Sequence, residues 1–157
     1  AVNYPINATL SNGTEVQIKS DAEFTDSISE CVQFEDEKDE AAETAVEVEA
    51  ILSGAKFTVD SYIVAGVNTA NDYVNYTIEF TNDLKLIAKD TVNTTTGEIE
   101  GTYAVSSETE VFLNTTFASN TAVSALGNDW VVSTYSNTLV SLHSKTDASV
   151  TLTFKKI

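Results

Sequence analysis

The sequence predicts a mainly β fold: an eight-stranded antiparallel up-and-down barrel over residues 51–157, preceded at 1–50 by a β-hairpin and one or two short helices. Three observations carry this expectation. From Lys56 onward apolar and polar residues alternate with a period of two, the spacing at which successive side chains point to opposite faces of a strand. The alternating segments are short and are separated by turn residues, as in "AGVNTAND", "TND", "NTTTG", "SSET", "ALGN" and "SN". Before Lys56 the apolar period is that of a helix, and a capping signal precedes it. Closing the strands into a barrel removes the exposed edges that an open meander would present.

At the N-terminus "YPINATL", "SNGT" and "EVQIKS" read as a hairpin, with Asn12-Gly13 as its turn because a type I′ turn needs positive φ at both central residues. Ser20 followed by Glu23 is a capping box. Phe24, Ile28, Cys31 and Val32 then form one apolar helix stripe, expected to be buried, with Cys31 as a structural thiol. The acidic "EDEKDEAAE" is either a solvated linker or the first turns of a second helix, where carboxylates favour the N-terminal dipole end. It lacks the central glycine that a calcium loop requires. In "AAETAVEVEAILSG", Ala41, Ala45, Val48 and Leu52 make a helical stripe, while Val46, Val48 and Ala50 alternate as a strand would; the stop at Gly54 favours the helix.

Strands are expected near 56–65, 73–81, 84–89, 98–105, 109–114, 129–135, 138–143 and 148–156. Parity places an inward set: Phe57, Val59, Tyr76, Ile78, Phe80, Leu84, Leu86, Ile99, Tyr103, Val105, Val111, Leu113, Trp130, Val132, Leu139, Val150, Leu152 and Phe154. An eight-stranded barrel is just wide enough to be filled by side chains or to hold one small ligand. The bulk of this set favours filling. If the barrel is hollow, Phe57, Tyr76, Phe80, Tyr103 and Trp130 are the ligand-binding candidates, with tyrosine hydroxyls as polar handles.

Composition narrows the partners. The chain has 157 residues, 24 of them acidic against eight basic, all lysine, for a net charge of −16. Such a charge opposes nucleic acid, and the arginine fork that grips phosphate is missing. The acidity reads as a solubility device ahead of a cation-attracting surface, and with the Ser, Thr and Asn content it fits an extracellular setting. No apolar run reaches the length of about 18 residues that spans a membrane. "AVNYPINATL" has neither the basic region nor the apolar run of a signal peptide.

Catalytic and metal signatures are sparse. Every Ser–His arrangement must use His143, and no GxSxG elbow accompanies it. Its parity matches Leu139 and Ser141, so it points inward only if that face stays inward at the strand end; a histidine near a barrel rim with no catalytic task is expected. One histidine and one cysteine, Cys31, are too few for a zinc site, and the lone cysteine has no intramolecular disulfide partner. Glu98 and Glu100 share a strand face, a pairing expected by chance among so many acids. No cofactor is expected. Asn7, Asn12, Asn75, Asn93 and Asn114 match the glycosylation pattern at a frequency that Thr- and Asn-rich composition explains.

The segments "LSGAKFTVDSY" at 52–62, "YVNYTIEFTNDLKLIA" at 73–88, "IEGTYAVS" at 99–106 and the closing "DWVVSTYSNTLVSLHS…VTLTFKKI" follow in a telling order. That order resembles the lipocalin-like domains of exported and surface proteins of Bacteroidetes, flavobacterial ones especially. Those domains show a leucine, a Gly-containing turn and an aromatic in strand one, a "GTW"-like fourth strand and a "ltFeK"-like ending. Phe57 stands where their Trp is usual, and Tyr103 replaces the Trp of "GTW". The stretch "YPINATLSNGTEVQIKSDAEFTDSISEC" resembles a hairpin–helix unit of the same proteins. The resemblance implies an exported protein, periplasmic, cell-surface or extracellular, often lipid-anchored in its precursor, and it brings no catalytic residues. The function expected is a non-enzymatic barrel module that binds a small apolar ligand at the cell surface. The alternative is a structural or protein-interaction module of a larger surface protein, with a filled barrel.

Overall fold

The structure, a computed structural model, describes residues 2–10 and 13–157. Strands β1 (Ile6–Thr9) and β2 (Glu15–Ile18) form the antiparallel hairpin, with Ile6 opposite Ile18 and Ala8 opposite Val16 on its apolar side. Gly13 holds φ at +83°, a left-handed value that glycine adopts without a Cβ penalty. The loop closes with the Leu10 N–H on the Thr14 carbonyl at 2.8 Å. Asn12, the other half of the expected turn, lies outside the described residues.

One helix follows. Its 32 residues, α1 (Asp21–Leu52), run straight through the acidic stretch, so the segment before the barrel is a single long helix rather than one or two short ones. The run from Glu35 to Glu40 contains no Gly or Pro to break it, and Glu, Lys and Ala are good helix formers. The N-cap forms: Ser20 Oγ accepts the Glu23 N–H at 3.2 Å, and the Glu23 carboxylate reaches back one residue past the cap to accept the Lys19 N–H at 2.7 Å. At the far end the Ser53 N–H bonds the Glu49 carbonyl at 2.8 Å, and Gly54 turns the chain at φ +70°.

The two helix stripes behave differently. Ala41, Val48 and Leu52 are buried and Ala45 is half-buried, as the helical reading of 41–52 requires. Phe24, Ile28 and Val32 are instead 37%, 48% and 55% exposed, and Cys31 is only half-buried. The expectation that this stripe lies in the core is therefore corrected. A helix of this length extends about 48 Å, and every residue it buries lies from Ala41 onward. Periodicity locates an apolar stripe without saying whether anything lies beneath it.

The barrel is a pure meander of β3 (Ala55–Val64), β5 (Tyr76–Phe80), β6 (Lys85–Asp90), β7 (Ile99–Ser107), β8 (Val111–Phe117), β9 (Asn128–Tyr135), β10 (Leu139–Ser144) and β11 (Thr151–Lys156). Each strand is antiparallel to the next, and β11 pairs back onto β3 to close the ring. β4 (Val67–Asn68) is a two-residue spur on β3, joined to it through Ala65 and Gly66 at φ +51° and +78°. All eight expected strands are present, their ends shifted by a few residues.

Parity assigned most of the core correctly. Phe57, Ile78, Phe80, Leu86, Leu113, Trp130, Leu152 and Phe154 are at most 1% exposed. Two assignments are corrected. Leu139 is 38% exposed, because Val140 and Leu142 pair with Phe154 and Leu152, and directly opposed residues share a face. Leu84 is 45% exposed, because it ends the 81–84 turn at φ +61° rather than opening a strand. Tyr62 and Tyr73 join the core from positions that parity did not select. Tyr62 turns inward after a bulge in which Asp60 is the extra residue between the Val59–Phe154 and Ser61–Thr153 pairs. Gly101 is required by packing: a Cβ there would stand 2.1 Å from the Thr116 carbonyl oxygen and 2.8 Å from the Phe117 ring.

Candidate functional site

The five aromatic candidates do not form one pocket. Phe57, Phe80 and Tyr103 come together with Phe154 near the end of the barrel where β3 begins. Phe57–Phe80, Phe80–Phe154 and Phe80–Tyr103 are edge-to-face pairs with ring centroids 5.4, 5.6 and 5.0 Å apart. Trp130 belongs to a second set of ring pairs in the same core, 6.4 Å from Tyr62, which in turn lies 5.7 Å from Tyr73. Tyr76 is half-buried at the start of β5 and stands outside both sets of ring pairs.

The polar tips of Tyr62, Tyr103 and Trp130 are hydrogen-bonded within the protein. Tyr103 Oη donates to the Thr81 carbonyl at 2.9 Å, fastening the 81–84 turn. Tyr62 Oη donates to the Ala125 carbonyl at 3.0 Å, in the 3-10 turn Ser124–Leu126 that links β8 to β9. Trp130 Nε1–H points at Thr115 Oγ1 (3.1 Å) and the Leu126 carbonyl (3.2 Å), and Thr115 Oγ1 itself donates to Leu126 at 2.7 Å. Among the described residues no buried side-chain nitrogen or oxygen lacks a partner. Burial holds the Tyr62 and Tyr103 phenols above their ordinary pKa. Burial does the same to Tyr73, aided by the charges of Tyr62 and Asp72.

Both ends of the barrel are covered. At one, the C-terminal half of α1 lies against the start of β3, the end of β7 and the start of β8, beside the 109–111 turn. Tyr135 Oη donates to the Glu47 carboxylate at 2.7 Å, Ser53 Oγ to Asn82 at 2.8 Å, and Lys156 Nζ to the Ile51 carbonyl at 3.4 Å. At the other end the 118–127 connection places Val123 and Leu126 at 0% exposure against the core. Shallow hollows open on the outer surface. One of about 270 Å³ sits between α1 and the 109–111 turn, lined by Glu37, Glu40, Thr44 and Glu110. Another, of about 310 Å³, is lined by Phe112, Asn114, Asp129, Trp130 and Lys145, and there Lys145 Nζ stands 4.3 Å over the Phe112 ring.

His143 lies on the outer wall of β10, opposite in parity to the buried Val140 and Leu142. Its Nδ1 is 2.8 Å from Ser133 Oγ, its one side-chain hydrogen bond among the described residues. The pair lacks the third group that would orient the imidazole as a base. Sequence parity left the direction of His143 open, and the register with β11 decides it. Glu98 is paired with Lys89 at 3.3 Å, while Glu100 is exposed. No three or more His, Cys, Asp or Glu side chains converge as a metal site among the described residues. Asn7, Asn75, Asn93 and Asn114 are exposed, and Asn114 bonds Asp129; Asn12 lies outside the described residues. No described helix is long and apolar enough to cross a membrane.

These features define a closed eight-stranded up-and-down barrel carrying an N-terminal hairpin and a long acidic helix. No protein-family model, curated protein or solved structure matches the chain.

Proposed function

We propose that this chain is a non-enzymatic module of an exported surface protein, and that its barrel is a filled structural platform that works through its outer surface. The observation that carries this reading is the fate of the interior aromatics. The rings of Phe57, Phe80, Tyr103 and Trp130 pack edge to face, and the Tyr62, Tyr103 and Trp130 donors are bonded to the turns at the two ends. The resemblance of residues 52–157 to exported lipocalin-like domains supports the location, and the net charge of −16 suits a solvated exterior. His143, with Ser133 as its one bonded partner, offers no basis for hydrolysis.

Native mass spectrometry of the purified chain, before and after denaturation, tests the filled barrel, together with titration by an apolar fluorescent dye. The expected result is the bare chain mass in both spectra and no saturable dye binding. A stoichiometric apolar molecule released on denaturation would overturn the proposal in favour of a carrier using Phe57, Tyr76, Phe80, Tyr103 and Trp130.

A further inference from the structure

Helix α1 carries two apolar stripes, and the barrel uses only one. At about 100° of rotation per residue, Ala41, Ala45, Val48 and Leu52 fall on one side, where they are buried or half-buried. Phe24, Ile28, Val32 and Val46 fall within about 40° of a common line roughly 130° away from that side. They are 37%, 48%, 55% and 69% exposed, and Ala42 and Ala50 extend the line. The other large apolar side chains exposed among the described residues belong to termini, turns and strand ends. Scattered exposure of that kind needs no explanation, whereas an aligned stripe does.

Charge selects the occupant. Asp21, Glu35 and Asp39 lie on the same line as the outer apolar residues, and Glu43 and Glu49 flank it. Twelve of the 24 acidic residues are in α1, against one lysine, Lys38. A second copy would bring like carboxylates face to face, and an anionic lipid surface is repelled for the same reason. We propose that the outer stripe of α1 docks a protein segment presenting apolar residues ringed by lysine or arginine, as on one face of a basic amphipathic helix. This deepens the proposed function and rests on its reading that the module works through its outer surface.

Two synthetic amphipathic peptides with the same apolar positions, one flanked by lysine and one by glutamate, test the proposal by fluorescence anisotropy against the full chain. The lysine peptide is expected to bind and the glutamate peptide not. The triple variant Phe24→Ser, Ile28→Ser, Val32→Ser is expected to weaken binding by about tenfold or more, with the barrel's near-ultraviolet circular dichroism unchanged. The double variant Glu35→Gln, Asp39→Gln, which leaves the apolar residues in place, is expected to weaken binding and flatten its salt dependence. The proposal fails if the lysine peptide does not bind, or if it binds the triple variant as well as the parent, since net charge alone would then explain the attraction. It fails too if sedimentation reveals a dimer that the triple variant dissolves, or if zwitterionic vesicles compete the peptide off. An apolar molecule found in the barrel by native mass spectrometry would overturn the filled-barrel reading while leaving the peptide result to stand separately.

Discussion

Trp130 is held as much by its ring N–H as by its ring. The donor meets Thr115 Oγ1 and the Leu126 carbonyl, so the side chain ties β9 to β8 and to the turn that covers that end of the barrel. Trp130→Phe keeps most of the apolar volume but removes the donor, and should cost about 1–3 kcal/mol. Trp130→Ala adds a cavity and should cost about 3–5 kcal/mol; urea unfolding followed by far-ultraviolet circular dichroism measures both. The tyrosines make a second prediction at this scale. Burial raises the pKa of Tyr62, Tyr73 and Tyr103, so the fold favours the neutral phenol. Their contribution to stability is complete below the unfolded value of about 10 and is lost as pH rises through the higher folded values. An alkaline titration should therefore show part of the tyrosinate absorbance appearing only together with loss of β structure. Tyr4, pushed up to about 12 mainly by its hydrogen bond to Asp21, should also titrate late, and Tyr4→Phe should remove that late phenol. Parity made Trp130 legible as an inward residue. Tyr62 was not legible, because the bulge at Asp60 adds a residue without any marker in the sequence.

At the scale of the element, the spur formed by β3 and β4 offers a clean test. Its two connecting residues, Ala65 and Gly66, both have positive φ, as a type I′ turn demands, yet only glycine tolerates that freely. Ala65→Asn should raise stability by about 1 kcal/mol, read as a shift in the urea midpoint without a change in slope. The helix shows what local signals can and cannot specify. The Ser20–Glu23 cap and the Gly54 stop were legible because capping uses side chains of fixed chemistry at fixed spacing. The continuity of α1 through the acid run was not, since a charged stretch is compatible with a linker or a helix until the flanking turns are in place. The reversal of Leu139 belongs here too. "LVSL" has apolar residues on both faces, and only pairing with Leu152 and Phe154 chooses between them.

For the whole molecule, the contrast between the two halves of α1 predicts an uneven stability. The segment from Ala41 to Leu52 is anchored by three buried residues and by Glu47 to Tyr135, whereas no residue from Asp21 to Glu40 is buried. Native-state hydrogen exchange should therefore show amides of 41–52 protected with the barrel strands and amides of 24–38 exchanging orders of magnitude faster. Uniform protection along α1 would mean that the outer stripe is covered in solution. The barrel itself should open as one unit, because β11 pairs with β3 and leaves no edge from which to fray.

The sequence by itself determined the eight strands, the hairpin, the helix start and stop, and most of the inward residues. Each depends on neighbours within a turn or a strand, so alternation, caps and turn chemistry suffice to specify it. Tertiary structure decided that the ring pairs of the interior aromatics fall into two sets within one core, that Tyr62, Tyr103 and Trp130 fasten the end turns, and that the Phe24 stripe faces solvent. Those outcomes depend on bulges, on register and on how far a 32-residue helix extends past the barrel beneath it. They are relations between distant segments, which no local period encodes.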